Sequence, residues 1–257
     1  MKNFKRERDV FMQTFYMTDT GKIREHNEDN VIILKNDKEE YLLAVADGMG
    51  GHKAGEVASA IVINHLTEEF YNLDTIGDKD SAIDFLRNIV TEMNSKIFDY
   101  TKENPDSKGM GTTFVCAIKT KDYLLYGNIG DSSGYVIKNK KMHKVTKDHT
   151  LVNLLVSTGE LTAEEAKYHP RKNVLMRALG ANNPIDIDIF DVEAKIGGIL
   201  LCSDGLTNML TDEQIEKVLA EEKTPEDAVK KLINKANARG GNDNISIAYL
   251  KRESGEV

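Results

Sequence analysis

The stretch TTFVCAIKTKDYLLYGNIGDSSGYVIKNKKMHKVT at 112–146 decides the fold class. Three strand-like runs follow one another in it, and no helical pattern separates them. The third run contains KNKK at 138–141, which predicts a hairpin turn. Because strands joined by short connections pair antiparallel, the sequence favours antiparallel sheets over a doubly wound parallel sheet.

A pair of helices is predicted before this stretch. Apolar residues recur with helical spacing at 54–70 and again at 83–100, so each segment has one apolar stripe to bury. Asp80 or Ser81 is the expected cap of the second helix. These two helices are expected to pack together on the outside of a sheet.

A second pair of helices and further strands are predicted elsewhere in the chain. Thr211 and Thr224 are expected to precede the two helices, the first with a capping box and the second with proline at its first position. The segment 148–180 mixes short helical patterns and is expected to be an insertion outside the strand layers. Additional strands are expected at 10–20, 31–48, 185–193, 197–202 and 244–250. The fold class predicted from these blocks is α+β.

Composition and charge limit the class of protein. The 257 residues are 40% apolar and 30% charged with only 4 prolines, a composition typical of a globular chain, here interpreted as a single domain. The net charge of −8 argues against a nucleic-acid partner. No apolar run is long enough to cross a membrane, and a cytoplasmic location is expected. Cys116 and Cys202 stand alone in strand-like runs and are predicted to be reduced packing residues.

Acidic residues recur where predicted strands begin or end. Any one of them is an ordinary turn former, but strands that reach one edge would bring several together. Two carboxylates about 4 Å apart repel by roughly 4 kcal/mol at an effective dielectric constant near 20, so such a group needs cations or protons. Oxygen ligands favour Mg²⁺ or Mn²⁺, and the six histidines show no spacing typical of zinc. The acidic residues are Glu28, Asp29, Asp47, Asp131, Asp204 and Asp243.

Arg24 allows two interpretations. Its guanidinium could bind two oxygens of a phosphate, or it could form a surface ion pair with Glu25 or Glu28. Taken alone, the ion pair is favoured. Next to a cluster of metal-binding carboxylates, phosphate binding becomes the better interpretation.

Six motifs together resemble the bacterial metal-dependent type 2C serine/threonine protein phosphatases, the PPM family. They are TDTGKIREHNED at 18–29, ADGMGGHKAGE at 46–56, GMGTT at 109–113, NIGDSS at 128–133, CSDGLT at 202–207 and GGNDNIS at 240–246. The resemblance implies a four-layer αββα sandwich, in which two antiparallel sheets are flanked by helix pairs and metals bind at one end. It also implies one phosphatase domain at 12–252. The basic arm at 1–11 extends the usual start of the family, which leaves two alternatives: Met12 is the initiator, or the arm is disordered. The insertion at about 148–180 resembles the family's mobile flap.

The resemblance also assigns roles to single residues. It implies two Mn²⁺ or Mg²⁺ ions, and a third ion bound more weakly. Glu28, Asp47 and the carbonyl of Gly48 would hold one ion, Asp47, Asp204 and Asp243 the second, and Asp131 with Asp204 the third. Asp29 would orient the attacking water, and Arg24 would bind the substrate phosphate.

Two positions depart from the family pattern. Met49 stands where eukaryotic members carry a histidine proposed as general acid, and His52 is the candidate to replace it. Ser133 stands where the family usually has arginine, so binding of the third ion is expected to differ.

The reaction implied is hydrolysis of phosphoserine and phosphothreonine in proteins by a metal-bridged water, without a covalent intermediate. The expected partners are phosphorylated proteins, including a bacterial serine/threonine kinase that the enzyme opposes, and the chain is expected to be a monomer. Two alternatives stay open. One is a phosphatase dedicated to a single regulator of the anti-sigma antagonist type, and the other is a catalytically silent metal-binding scaffold.

Overall fold

The computed structural model describes residues 11–51 and 54–253. The basic arm expected at 1–11 therefore lies outside the described residues, apart from Phe11. That residue accepts a backbone hydrogen bond of 2.9 Å from Glu253 and leads directly into the first strand.

One antiparallel sheet of five strands has the order β1-β11-β10-β7-β8. Its strands are β1 (Met12–Asp19), β7 (Ser133–Lys138), β8 (Lys141–Lys144), β10 (Gly198–Cys202) and β11 (Ile245–Arg252). The hairpin predicted from KNKK joins β7 to β8. Its two turn residues, Asn139 and Lys140, have φ of 49° and 64°, the left-handed backbone that a two-residue hairpin turn requires.

A second antiparallel sheet of six strands has the order β2-β3-β5-β6-β9, with the short β4 paired to β3. Its strands are β2 (Asp29–Lys35), β3 (Tyr41–Met49), β4 (Gly111–Thr112), β5 (Phe114–Lys119), β6 (Leu124–Ile129) and β9 (Asp188–Val192). The strand expected at 185–193 is thus shorter than predicted, although Ile185, Ile187 and Ile189 do pack on the core.

Seven helices are found in the described residues. They are α1 (Ala54–Asn72), α2 (Lys79–Glu103), α3 (Leu151–Ser157), α4 (Ala163–Tyr168), α5 (Asp204–Thr207), α6 (Asp212–Glu221) and α7 (Pro225–Ala238). The expected cap of α2 was wrong, because Asp78 and neither Asp80 nor Ser81 precedes the helix and accepts a hydrogen bond from the Ser81 amide. The caps at Thr211 and Thr224 are confirmed.

Three apolar clusters hold these layers together. One joins α1 and α2 to the six-stranded sheet, for example Leu66 and Met93 against Leu42. A second joins α6 and α7 to the five-stranded sheet, and a third lies between the sheets, where Val45 and Leu201 are buried. The order of layers is helices, sheet, sheet, helices, so the predicted αββα sandwich is confirmed.

The insertion at 148–180 contains α3 and α4 and lies between β8 and β9 in the chain. Its ends are joined to each other by a bridge between Thr150 and Leu175, and to β4 by a bridge between Leu179 and Thr112. Among residues 11–51 and 54–253, none of the helices combines the length and apolarity needed to cross a membrane.

Candidate metal centre

Carboxylates from both sheets meet at one end of the sandwich. Asp29 at the start of β2 is the register partner of Asp47 near the end of β3. Asp204 follows the end of β10 by two residues, and Asp243 precedes β11 by two residues. Because β10 and β11 are antiparallel neighbours, the end of one lies beside the start of the other. We call the following six side chains the acidic centre: Glu28, Asp29, Asp47, Asp131, Asp204 and Asp243.

Asp47 lies at the middle of the acidic centre. Its pKa is raised well above the ordinary value by burial, and then by the charges of Asp29, Asp204 and Asp131. Thr113 holds both polar groups of the Asp47 main chain. The Asp47 N–H donates to Thr113 Oγ1 at 3.0 Å, and the Asp47 carbonyl accepts from the Thr113 amide at 2.9 Å. Asp47, the residue expected to bridge two ions, therefore has a hydrogen-bonded main chain and a carboxyl group close to several other negative charges.

Asp29 is the most buried member, with 4% of its surface exposed. Burial raises its pKa to about 7, although hydrogen bonds from Ser203 and Ser246 act in the opposite direction. Ser203 Oγ donates to Asp29 Oδ2 at 2.7 Å, whereas Oδ1 is buried without a partner among the described residues. The free oxygen is the polar atom that a bound water or ion would satisfy.

Glu28 and Gly48 lie against the first turn of α1. Glu28 Oε1 is a second buried oxygen that has no partner in the described residues, and burial raises the pKa of this carboxyl. A Cβ at Gly48 would lie 2.2 Å from the carbonyl oxygen of Gly55, and a Cβ at Gly55 would lie 2.7 Å from Glu28 Oε1. Only glycine fits at either position, so these two glycines let the loop after β3 approach Glu28 closely.

Asp131 and Asp204 face each other from the two sheets. Burial raises the pKa of Asp131 to about 7, and the charge of Asp204 adds to the shift. The pKa of Asp204 is also raised by burial and by Asp243, while a hydrogen bond from Asn208 at 2.9 Å opposes the shift. The third-ion residues expected from the resemblance are therefore close enough to interact.

Arg24 pairs with neither Glu25 nor Glu28. Its Nη2 lies 2.8 Å from Asp243 Oδ2, and 48% of the side chain is exposed at the rim of the acidic centre. The alternative of an ion pair with Glu25 or Glu28 is not found, because the loop 20–28 folds toward the start of β11. A residue 219 positions away along the chain is therefore closer to the guanidinium than its own neighbours are.

The acidic centre fits divalent cations. Its donors are all oxygens, two of them are buried without partners, and several of its carboxyl pKa values are raised by burial and like charge. Arg24 is a single positive charge at the rim and cannot balance six acids. Hard cations such as Mg²⁺ or Mn²⁺ supply the missing charge and accept an all-oxygen set.

Sequence reasoning missed Asn244, which positions the loop beside the acidic centre. Asn244 is buried; its Oδ1 accepts from the Glu28 amide at 2.8 Å, and its Nδ2 donates to the carbonyls of Thr20 and His26 at 2.9 Å each. It thereby fixes the loop that carries Arg24 and Glu28. The signal was present, because Asn244 lies in the GGNDNIS motif, but nothing in the motif distinguishes a ligand from a residue that holds one.

Three further predictions concern His52, Met49 and Ser133, which lie in the same sequence motifs as the acidic residues. His52, the candidate general acid, lies outside the described residues and stays a prediction. Met49 is paired with Gly111 of β4. Ser133 is buried at the start of β7 opposite Cys202, where it adds no positive charge near Asp131.

A different group of possible ligands lies on the outer helices. His65 and Glu69 of α1 and Glu92 of α2 have ligand atoms within 4.8 Å of one another, a spacing that no three members of the acidic centre reach in the described residues. His65 is buried, and its Nε2 lies 2.9 Å from Glu92 Oε2. The hydrogen bond between His65 and Glu92 accounts for this arrangement without a metal.

Comparison with known proteins identifies the family. Residues 22–245 match the family model described as Protein phosphatase 2C. The chain belongs to the protein phosphatase 2C family. This match includes the whole acidic centre.

Relatives and solved structures of the protein phosphatase 2C family agree with this assignment. Serine/threonine phosphatase stp of Listeria monocytogenes is 39% identical over 243 residues, which are 94% of this chain and 96% of the relative. The Streptococcus agalactiae serine/threonine phosphatase superposes with a TM-score of 0.89 at 36% identity, covering 95% of this chain and 100% of that chain. The catalytic domain of serine/threonine protein phosphatase PstP, solved in complex with two manganese ions, gives a TM-score of 0.82 at 34% identity, with 95% and 99% coverage.

Proposed function

We propose that this chain is a metal-dependent protein-serine/threonine phosphatase that removes phosphate from phosphoserine and phosphothreonine. The observation that carries the proposal is the acidic centre itself. Carboxylates from both sheets surround Asp47, and the Arg24 guanidinium lies at the rim. Such a centre brings divalent cations to a phosphate that the guanidinium can bind, which is the combination that phosphate monoester hydrolysis needs.

The residues that would hold the ions are proposed from the motif positions that resemble those of the family. Glu28, Asp47 and the Gly48 carbonyl would hold one ion, Asp47, Asp204 and Asp243 a second, and Asp131 with Asp204 a third. Mn²⁺ and Mg²⁺ both suit this set. When bound, such ions offset the charge of the phosphoryl oxygens and make water an effective nucleophile near neutral pH.

Asp29 serves as the acceptor for the attacking water. Its Oδ2 is held by Ser203, which fixes the carboxyl plane, and its buried Oδ1 is left to accept a hydrogen bond from that water. Arg24 binds two phosphoryl oxygens once it has left Asp243. His52 is the proposed donor of the proton to the leaving oxygen; a His52→Ala enzyme with an unchanged rate on a substrate with a poor leaving group would remove it from this role.

The biological setting is proposed on the same basis. The substrates are phosphorylated proteins, and a serine/threonine kinase supplies them. We propose that residues 12–252 form one phosphatase domain that acts as a monomer in the cytoplasm. The relatives named as serine/threonine phosphatases support the substrate class.

The direct test is phosphate release by the purified chain. With Mn²⁺ present, we expect hydrolysis of p-nitrophenyl phosphate and of phosphothreonine peptides, and loss of both with EDTA or in Asp204→Asn. Asp186→Asn is the matched control, because Asp186 is an exposed aspartate outside the acidic centre whose carboxyl only accepts from the next amide. Mn²⁺ binding without any hydrolysis would favour the scaffold alternative. Activity confined to one phosphoprotein would favour the dedicated phosphatase.

A further inference from the structure

His149 lies at the base of the flap and makes two hydrogen bonds to one glycine. Its Nδ1 accepts from the Gly130 amide at 3.1 Å, and its own amide donates to the Gly130 carbonyl at 2.9 Å. Gly130 directly precedes Asp131, the acidic-centre residue proposed for the third ion. The imidazole therefore holds the turn that positions this carboxylate.

The backbone of the Gly130–Asp131 turn depends on glycine. Gly130 has φ of +105°, a conformation that side chains rarely adopt, and a Cβ there would lie 2.7 Å from the side chain of Thr113. Two oxygens nearby, Thr113 Oγ1 and Ser132 Oγ, are 2.7 Å apart and hydrogen-bond each other. His149 forms hydrogen bonds with both the N–H and the carbonyl of Gly130.

The orientation of the imidazole is fixed from its other side. Because Nδ1 accepts a hydrogen bond, the ring proton must be on Nε2, which lies 3.1 Å from Asp188 Oδ2 and donates to it. Asp188 Oδ1 in turn accepts from Arg177 Nη1 at 2.6 Å. Partial burial of Asp188 raises its pKa, but the hydrogen bonds from His149 and Arg177 outweigh this effect and lower it. An ionised Asp188 is the partner that keeps the proton on Nε2.

The same residues connect the turn to both ends of the flap. The His149 carbonyl accepts from the Met176 amide at 2.8 Å, and Arg177 follows directly. The His149 side chain is only 11% exposed, so it is enclosed between β6, β9 and the flap. The arrangement resembles a histidine ligand held by a carboxylate, except that the imidazole here binds a backbone and not a metal.

We propose that His149 is a positioning residue: it holds the Gly130–Asp131 turn in the geometry that lets Asp131 bind an ion, and Asp188 and Arg177 fix the imidazole for this purpose. The proposal rests on the proposed function for the role of Asp131. His149 itself touches neither substrate nor reacting atoms.

Two isosteric variants separate the contacts of the imidazole. In His149→Asn the side-chain oxygen takes the place of Nδ1 and can still accept from Gly130. In His149→Gln the amide nitrogen takes the place of Nε2 and can still donate to Asp188, but the acceptor for Gly130 is lost. His149→Ala removes both contacts. His143→Gln, an exposed histidine on β8, is the matched control.

The first measurement is hydrogen exchange of the Gly130 amide in the full chain without metal. We expect exchange at least tenfold faster in His149→Gln and His149→Ala than in the wild type, and nearly unchanged exchange in His149→Asn and His143→Gln. Amide protection is independent of hydrolysis, so this result stands even if the proposed function fails. Exchange that is unchanged in His149→Gln, or equally fast in His149→Asn, would overturn the positioning role.

The second measurement is Mn²⁺ binding by calorimetry. The weakest site of the wild type should lose about tenfold in affinity in His149→Gln, be nearly restored in His149→Asn, and be lost in Asp131→Asn. At limiting Mn²⁺, kcat should fall in His149→Gln while KM for p-nitrophenyl phosphate stays unchanged, and excess Mn²⁺ should restore kcat. Wild-type binding identical to that of Asp131→Asn would overturn the metal part of the proposal. Absent phosphatase activity in the wild type would instead contradict the proposed function.

Discussion

Arg24 and Asp243 form a 2.8 Å ion pair across the rim of the acidic centre. In the proposed function each of the two has another partner, because Asp243 would bind an ion and Arg24 would bind the substrate phosphate. Ion binding therefore has to compete with the guanidinium, and it frees the guanidinium at the same time. The pair keeps a phosphate-binding cation at the right place before either ligand arrives.

Substitution of Arg24 should separate phosphate binding from metal binding. A hydrogen bond between charged groups contributes about 1.5–3 kcal/mol, so Arg24→Ala should lower kcat/KM for phosphothreonine peptides by roughly 10- to 150-fold, mostly through KM. Its Mn²⁺ affinity should be equal to or higher than that of the wild type, because a positive competitor for Asp243 is gone. Calorimetry and steady-state kinetics on the same preparations check both parts. Weaker Mn²⁺ binding in Arg24→Ala would contradict the competition.

Neutralising Asp47 should stabilise the metal-free protein while abolishing activity. Asp47 is held near several like charges, and its raised pKa shows that its ionised form is disfavoured in the fold. In Asp47→Asn with EDTA, we expect the melting temperature to rise above that of the wild type, by roughly 2–4 °C for each kcal/mol of repulsion relieved. With excess Mn²⁺ the order should reverse, since only the wild type gains stability from the ions. Differential scanning calorimetry in both conditions provides the comparison.

Mn²⁺ affinity should increase with pH between about 6 and 8. The pKa values of Asp29 and Asp131 are raised to about 7 in the metal-free fold, so protons occupy these carboxyls at lower pH and the ion must displace them. Titrations in two buffers of different ionisation enthalpy should reveal proton release at pH 6 and much less at pH 8. Equal release at both values would contradict the assigned shifts.

The stability of the metal-free protein should follow pH in the opposite sense. A carboxyl whose pKa is raised by folding binds more protons in the native state than in the unfolded state, so unfolding becomes easier as pH rises through the raised pKa. We expect the urea midpoint of EDTA-treated protein to fall between pH 5.5 and pH 8. Asp47→Asn should show a smaller decrease, which links the effect to the acidic centre.

Gly55 provides a steric test of the ligand set. Alanine in a helix usually stabilises by about 0.5–1 kcal/mol relative to glycine, but a Cβ at position 55 of α1 would lie 2.7 Å from Glu28 Oε1. Gly55→Ala should therefore displace Glu28 and weaken Mn²⁺ binding, with loss of activity at limiting metal. Gly51→Ala is the matched control, because a Cβ there meets nothing within 4 Å. Equal Mn²⁺ affinity in the two variants would argue against Glu28 as a ligand.

Much of the fold could be predicted because local patterns and packing agree. The Asn139–Lys140 turn and the caps at Thr211 and Thr224 depend on neighbours in the chain, and all were found. The cap of α2 was misplaced by two or three residues, because Asp78 and Asp80 are of the same residue type and the sequence does not distinguish between them.

The residues of the acidic centre could be predicted from the sequence, but the contacts around them could not. Strand ends and motifs indicated which carboxylates would meet, since each follows or precedes a buried run. The partner of Arg24 and the contacts of Asn244 could not be predicted, because they join residues more than 200 positions apart through the course of an irregular loop. Such contacts depend on where the loop lies over β11, and no periodicity in the sequence reports that.

The two cysteines lie in the middle layers of the fold, Cys116 in β5 and Cys202 in β10, both fully buried. Burial raises the pKa of Cys116 to about 12 and raises that of Cys202 as well, so neither thiol forms the thiolate that peroxides and alkylating reagents attack. The proposed reaction needs only oxygen and nitrogen side chains. Oxidants that inactivate thiol-dependent phosphatases should therefore leave the activity of this one unchanged. Phosphate would continue to be removed from proteins under oxidising conditions.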